Sequence, residues 1–155
     1  MKKLFALVMT IAMLLCCCAA AEEESTVPVP EAAAVFEGQW VCDRANIEMI
    51  WEEEGFRVHI TWGESVSEGT EWEYSCTYNA ETNALESVIA NGIKTDCVYG
   101  DDGSVASFET VYEDGEATFT LDEEKHLIWH DAKEDAGKNL QFEFAGPVEA
   151  VTENP

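Results

Sequence analysis

The strongest constraint on the fold is an alternation of apolar and polar residues with a period of two. From Phe56 to Trp62 every second residue is apolar, and the residues between them are polar. The alternation recurs from Trp72 to Tyr78, where the bulky or apolar residues all share one side. This pattern is typical of strands with one dry face, and no segment keeps a helical period. The chain is therefore predicted to be all-β.

Turn signals divide the alternating runs into short segments. Asn-Gly and Asp-Gly pairs are strong hairpin signals because both residues accept a positive φ. Short strands joined by tight hairpins predict an antiparallel up-and-down meander of about eight to ten strands. Because open sheet edges promote aggregation, we expect the meander to close into a barrel; a sandwich needs longer connections. The turn signals are Glu54-Gly55, residues 79–83, Asn91-Gly92, Asp102-Gly103 and Asp114-Gly115.

One connection carries helix signals instead. Asp131 and Glu134 have the spacing of a capping box, and Gly137 is suited to end a helix. We therefore predict one short helical turn before the last strand. The functional alternative is that Asp131 and Glu134 form an acid/base pair, but carboxylates on a surface turn are usually solvated.

The amino terminus has the three parts of an export signal. Met1-Lys2-Lys3 is followed by an apolar run to Leu15 and by small residues at 19–21. The run is about a dozen residues long, whereas a membrane-spanning helix needs about 20. Residues 1–21 are thus predicted to be a signal peptide. The stretch is also similar to a bacterial lipoprotein signal, in which Cys18 would be lipidated, so the protein is expected to be exported as a secreted protein or a cell-surface lipoprotein.

The composition divides the rest of the chain. Residues 22–35 are acidic and contain Val27-Pro28-Val29-Pro30, which is typical of an extended linker. The alternating pattern predicts a β-barrel domain over residues 36–146 and a disordered tail over residues 147–155.

The charge restricts the partners. The chain has 8 basic and 32 acidic residues, for a net charge of −24. Such a surface repels nucleic acid and anionic lipid, so membrane contact is expected only through an amino-terminal lipid. The acidity provides solubility, or it attracts cations or a basic protein.

Cysteine and histidine spacing argues against a disulfide scaffold or a metal site. Without the amino-terminal triplet, Cys42, Cys76 and Cys97 remain, an odd number with no C-x-x-C element. In meander order a third strand should separate Cys76 from Cys97, which places them beyond the roughly 7 Å limit for a disulfide, and buried thiols are predicted. His126 and His130 would be about 13 Å apart on one strand. No cofactor is expected, and no motif for nucleophilic catalysis occurs, so the protein is predicted not to be an enzyme.

Four aromatic residues are candidates for lining a ligand cup. Trp62, Trp72, Tyr74 and Trp129 lie in the alternating runs and share faces with other apolar residues. Aromatic side chains of this size also fill a small barrel completely. A cup and a filled core both remain open.

Two resemblances bear on the fold. Gly38-x-Trp40 resembles the G-x-W with which lipocalins and related calycin barrels begin. This resemblance implies a lipocalin-like barrel with Trp40 plugging one end and a small apolar ligand at the other. Across the domain, patterns such as Trp72-x-Tyr74-x-Cys76-x-Tyr78 and Leu127-x-Trp129-x-Asp131 look like small exported or lipoprotein domains from anaerobic gut bacteria, a group without an assigned activity.

These observations favour a non-enzymatic exported binding protein. Its partner would be a small apolar ligand held in the barrel or an extracellular protein. The alternative is a surface interaction or inhibitor-type module with a filled barrel, which would act through its acidic surface or through loop 63–69.

Overall fold

The computed structural model describes residues 27–148 and confirms the all-β antiparallel architecture. The predicted signal peptide, the lipidation site Cys18, residues 22–26 of the linker and residues 149–155 of the tail lie outside the described residues. A 3-10 helix (Ala34–Phe36) precedes ten strands. The strands are β1 (Gly38–Cys42), β2 (Ala45–Glu52), β3 (Gly55–Gly63), β4 (Glu68–Asn79), β5 (Ala84–Ser87), β6 (Gly92–Tyr99), β7 (Val105–Gly115), β8 (Ala117–Leu121), β9 (Leu127–Asp131) and β10 (Glu143–Gly146).

The strands form one curled half-barrel sheet in the order of a meander. Neighbours from β1 to β4 pair in sequence, and β10 returns to pair with β1. Both β5 and β6 pair with β4, while β8 pairs with β5 and β7 pairs with β6. β5 and β6 therefore follow one another as a single strand with an interruption, and so do β7 and β8. Leu127 on β9 and Phe142 exchange two backbone hydrogen bonds of 2.9 Å just before β10 begins.

Two of the predicted hairpin turns are strand interruptions, which corrects the sequence interpretation. Asn91 directly precedes β6, which begins at Gly92, and Asp114-Gly115 ends β7 one residue before β8. Gly92 and Gly115 are paired with each other across the sheet. The reason is the length of β4, whose 12 residues allow both β5 and β6 to pair along it.

The same pairing changes the expected positions of the cysteines. No third strand separates Cys76 from Cys97: Cys76 pairs with Ser87 of β5, and Cys97 pairs with Gly69 of β4 itself. The two positions differ by seven residues along β4 (76 − 69), which is about 23 Å at the rise of a strand. All three cysteines of the described residues are free thiols; Cys76 and Cys97 are buried, and Cys42 is half-buried.

The predicted helical turn before the last strand is wrong, because residues 132–139 form turns. The cap itself is present: the Asp131 carboxylate accepts the backbone N–H groups of Lys133 and Glu134, both at 3.1 Å. The Glu134 carboxylate binds Lys94 rather than completing the capping box or pairing with Asp131. Gly137 serves close packing, since a Cβ there would lie 2.5 Å from the Trp129 carbonyl oxygen.

The concave face of the sheet carries the hydrophobic core, and part of the predicted linker packs on it. Ala33 and Phe36 are fully buried, and Val29 packs against the core. The Trp51 indole N–H donates to the Val27 carbonyl oxygen at 2.6 Å. The described portion of the linker is therefore attached to the sheet. Among residues 27–148 no helix has the length and apolar character needed to cross a membrane.

Candidate functional site

The four predicted ligand-lining aromatics meet in the core. Trp72 contacts Trp62 and Trp129, with ring centroids 6.4 and 5.1 Å apart respectively. Trp72, Tyr74 and Trp129 are buried, and Trp62 is half-buried. The rings are packed on one another and on their neighbours. Tyr74, for example, stands edge-on to Phe119 at 6.1 Å.

Trp40, the predicted barrel-end plug, is also buried. Its indole N–H donates to the Phe36 carbonyl oxygen at 2.9 Å, and its ring lies edge-on to Phe144 at 5.1 Å. These contacts join β1 to the 3-10 helix and to β10.

Three cavities lie elsewhere and have none of these four aromatics in their lining. A cleft of about 990 Å³ lies beside the β2–β3 turn. Cavities of about 410 and 350 Å³ lie against the β6–β7 hairpin and share Cys97 and Phe108. The hairpin therefore borders concave surface in two places.

The cavity of about 410 Å³, called the outer groove below, combines carboxylates with apolar side chains. Its lining residues come from β4, β6 and β7, which are neighbours in the sheet. Cys97 of β6, for instance, pairs with Gly69 of β4 and with Phe108 of β7. Phe108 is 71% exposed, more than any other aromatic residue among residues 27–148. The lining residues are Glu71, Glu73, Ile93, Thr95, Cys97, Val105 and Phe108.

Hydrogen bonds hold one wall of the outer groove. The Tyr99 hydroxyl donates to Glu71 Oε1 at 2.8 Å, and His59 Nε2 lies 3.4 Å from Glu71 Oε2. Burial and the neighbouring Glu71 carboxylate raise the pKa of Tyr99, so its proton stays in this contact at neutral pH. Glu73 is exposed and directed outward.

The opposite face of the hairpin is fixed to the body of the protein. The Trp72 indole N–H donates to the Tyr112 hydroxyl at 3.1 Å. Lys94 pairs with Glu134, and Lys133 pairs with Asp114, each at 2.5 Å. The Lys133 ammonium also lies 5.3 Å from the Tyr112 ring centroid. These contacts hold the hairpin against the turn at residues 132–139.

The far side of β7 is a free sheet edge. β7 has 11 residues and, among the strands of residues 27–148, pairs only with β6. Strand β9 covers β8 but ends at Asp131, where it pairs with Ala117, so it does not reach β7. Within residues 27–148, no backbone hydrogen bond joins residues 105–114 to any segment other than β6. Sequence reasoning missed this edge because a closed meander gives every strand two neighbours; the signal was the short length of β9.

Among the described residues, nearly every lysine and arginine side chain lies in an ion pair. Of the 8 basic residues, Lys2 and Lys3 lie outside the described part, which leaves six. Five of these six lie within 4 Å of a carboxylate, and Lys125 is the exception among the described residues. Most of the carboxylates therefore face solvent without a cation. The five paired residues are Arg44, Arg57, Lys94, Lys133 and Lys138.

The histidines are separate from one another. His126 Nδ1 lies 3.0 Å from Asp122 Oδ2, and His130 Nδ1 lies 3.8 Å from Asp135 Oδ1, while His59 contacts Glu71. Across residues 27–148, no group of three or more His, Cys, Asp or Glu side chains has the geometry to hold a metal ion.

Comparison with models of protein families, with characterised proteins and with solved structures finds no match for this chain.

The Cys97 thiol is expected to react slowly although it lines the outer groove. Burial, followed by the nearby Glu71 carboxylate, raises the pKa of Cys97, and burial raises the pKa of Cys76 to about 12. Only the thiolate is nucleophilic, so iodoacetamide at about pH 8 should label half-buried Cys42 well before the other two. Peptide mass spectrometry after timed labelling measures the order. Faster labelling of Cys97 than of Cys42 would contradict this assignment.

The contact between His126 and Asp122 should make stability depend on pH. The Asp122 carboxylate raises the pKa of His126. Burial opposes ionisation of Asp122, but hydrogen bonds from the backbone and ring of His126 lower its pKa below the usual value. The contribution of His126 to the free energy of unfolding is complete below about pH 6.5 and is lost as the pH rises through its raised folded pKa. The contribution of Asp122 is present above about pH 4 and is lost as the pH falls through its lowered folded pKa.

Melting temperatures of the wild type and of His126→Gln, measured from pH 3 to pH 9, test this expectation. The difference between the two proteins should be largest between about pH 4 and pH 6.5. His130→Gln is the matched control, because His130 is largely exposed and lies 3.8 Å from its carboxylate. A difference that does not change with pH would contradict the prediction.

Proposed function

We propose that the protein is an exported, non-enzymatic interaction module that binds a basic protein partner through the β6–β7 hairpin. The observation that carries the proposal is Phe108, whose ring is 71% exposed and borders two cavities at once. Exposed aromatic side chains of this kind are typical of protein-binding surfaces. The alternative of a cup for a small apolar ligand is less well supported, because the interior aromatics contact one another.

The charge around Phe108 favours a basic partner. Glu71 and Glu73 line the outer groove, and the cavity on the other side of Phe108 is also rich in carboxylates. Complementary potentials accelerate encounter and discriminate against acidic proteins. The carboxylates that border the second cavity are Glu64, Glu68, Asp96 and Glu109.

We also propose that the protein is exported and that its sheet closes into a barrel. The lysine-flanked apolar amino terminus supports export, either as a secreted protein or as a lipoprotein anchored through Cys18. Closure of the sheet into a lipocalin-like barrel is supported by the hydrogen bonds between Leu127 and Phe142. A filled, closed barrel would present its partner surface on the outside.

Site-specific cross-linking in the native host tests the binding surface. A photoreactive phenylalanine analogue at position 108 is compared with one at Ile89, which is 66% exposed and lines none of the three cavities. Mass spectrometry should identify protein cross-links at position 108 that are absent at position 89, on peptides with positive net charge. Equal cross-linking at both positions, or cross-links to acidic peptides, would overturn the proposal.

Native mass spectrometry of the protein from its host distinguishes an interaction module with a filled interior from a protein with a ligand cup. A module with a filled interior should show the mass of the polypeptide and its amino-terminal modification alone. A small apolar molecule that stays bound and is lost on unfolding would favour the cup.

A further inference from the structure

We infer that the partner is captured as an additional β-strand on the free edge of β7, and that the captured segment is short, extended and basic. This inference rests on the proposed function and specifies how the partner is held at the same surface. An unpaired strand edge presents a row of N–H and C=O groups that another strand can satisfy.

The free edge begins where the body of the protein stops supporting the hairpin. Near its carboxyl end, β7 is held by Asp114 with Lys133 and by Tyr112 with Trp72. From Val105 to Val111 the described part of the chain supplies neither an ion pair nor a side-chain hydrogen bond. This stretch of seven residues is about 23 Å long, which is the length of an ordinary strand.

The usual protection of an edge strand is only partly present. Neither proline nor lysine occurs in β7, and it exposes Val105, Phe108 and Val111. The pairing with β6 shifts on both sides of the run from Ser107 to Thr110, so the regular ladder is four residues long with Phe108 inside it. Such irregularities limit edge pairing, and the added strand is therefore expected to be short.

The charges on β7 decide between a second copy and a different partner. The strand carries Glu109, Glu113 and Asp114 and has no basic residue. Like charges placed across a strand pair are destabilising, and opposite charges are stabilising. Glu109 lies in the free stretch, whereas Asp114 is already paired with Lys133. A second copy of β7 would bring further carboxylates to Glu109 on proteins that each carry a net charge of −24, whereas a basic strand would pair with Glu109. The edge therefore fits a basic segment.

A synthetic peptide provides the probe. Fluorescein-labelled, acetylated (Lys-Val)₄ is titrated with the whole protein and followed by fluorescence anisotropy. Two comparison peptides are (Glu-Val)₄ and a form of (Lys-Val)₄ that is N-methylated at every residue, which keeps the charge but has no backbone N–H to donate. Loss of several main-chain hydrogen bonds should weaken binding by about tenfold or more, and (Glu-Val)₄ should not bind.

Hydrogen exchange and matched variants locate the peptide. Bound (Lys-Val)₄ should slow the exchange of amides between residues 105 and 111. Phe108→Ser and Glu109→Lys should each weaken binding about threefold or more, while Ile89→Ser and Glu81→Lys, which change similar exposed side chains outside β7, should have smaller effects. Circular dichroism and melting curves of each variant establish that the fold is retained.

The results separate the two proposals. If the N-methylated peptide binds as tightly as its parent and Phe108→Ser still weakens binding, strand addition is wrong and the basic-partner surface stands. If neither basic peptide binds and cross-linking at position 108 finds no partner, the proposed function fails as well. Association of the protein with itself that is abolished by Phe108→Ser would also overturn the inference, because β7 would then serve a second copy.

Discussion

Replacing Trp129 by alanine is expected to lower the free energy of unfolding by about 3–5 kcal/mol. The side chain is 1% exposed and packs edge-on against Trp72. Its indole N–H has no hydrogen-bond acceptor among the described residues, so the loss would come from packing alone. Equilibrium unfolding in urea, followed by circular dichroism, measures the change.

Trp62→Ala is the matched control for this substitution. Trp62 belongs to the same chain of rings but is only half-buried, so less apolar surface is lost. Its cost should be about half that of Trp129→Ala or less. Equal costs would mean that Trp129 does not occupy a closed core, and the filled interior would then need revision in favour of a cup.

Gly92→Ala is expected to destabilise the protein by about 1–3 kcal/mol and to loosen the β6–β7 hairpin. A Cβ at this position would lie 2.3 Å from the Tyr74 ring and 2.9 Å from the Gly115 carbonyl oxygen. Both neighbours are in the paired interior of the sheet, so the backbone must shift. Unfolding in urea measures the loss of stability, and faster amide exchange in β7 reports the loosened hairpin.

Gly63→Ala is the control for the added methyl group. At Gly63 a Cβ would approach nothing closer than the Arg44 carbonyl oxygen, at 3.9 Å. This variant should therefore differ little from the wild type. If Gly92→Ala were as stable as Gly63→Ala, the close pairing of Gly92 with Gly115 would not be the feature that positions the hairpin.

The hairpin also shows where sequence signals stop being sufficient. Asn91-Gly92 and Asp114-Gly115 have the residues of tight turns, yet each interrupts a strand that continues beyond it. A local pair of residues specifies that the chain bends, but whether it reverses depends on what pairs alongside. Here the long strand β4 offers pairing on both sides of the bend.

The candidate site was less visible in the sequence than the core. Trp62, Trp72, Tyr74 and Trp129 were recognisable because core residues follow a period, and the structure places all four together. Phe108 lies in a segment, Val105 to Tyr112, that has apolar residues on both faces, so the sequence pattern assigns it no exposed position. Its exposure arises because neither face of β7 is covered from Val105 to Val111 by the described part of the chain.

The sequence by itself determined that the chain forms antiparallel strands, because side-chain alternation and turn chemistry are local properties. It also determined the acidity, which favours the proposed basic partner. Only the tertiary structure decided which strand edge stays unpaired, where the exposed aromatic lies and which carboxylates surround it. These features depend on the relative lengths and register of strands that are distant in the chain, and no local pattern encodes the partner of a strand.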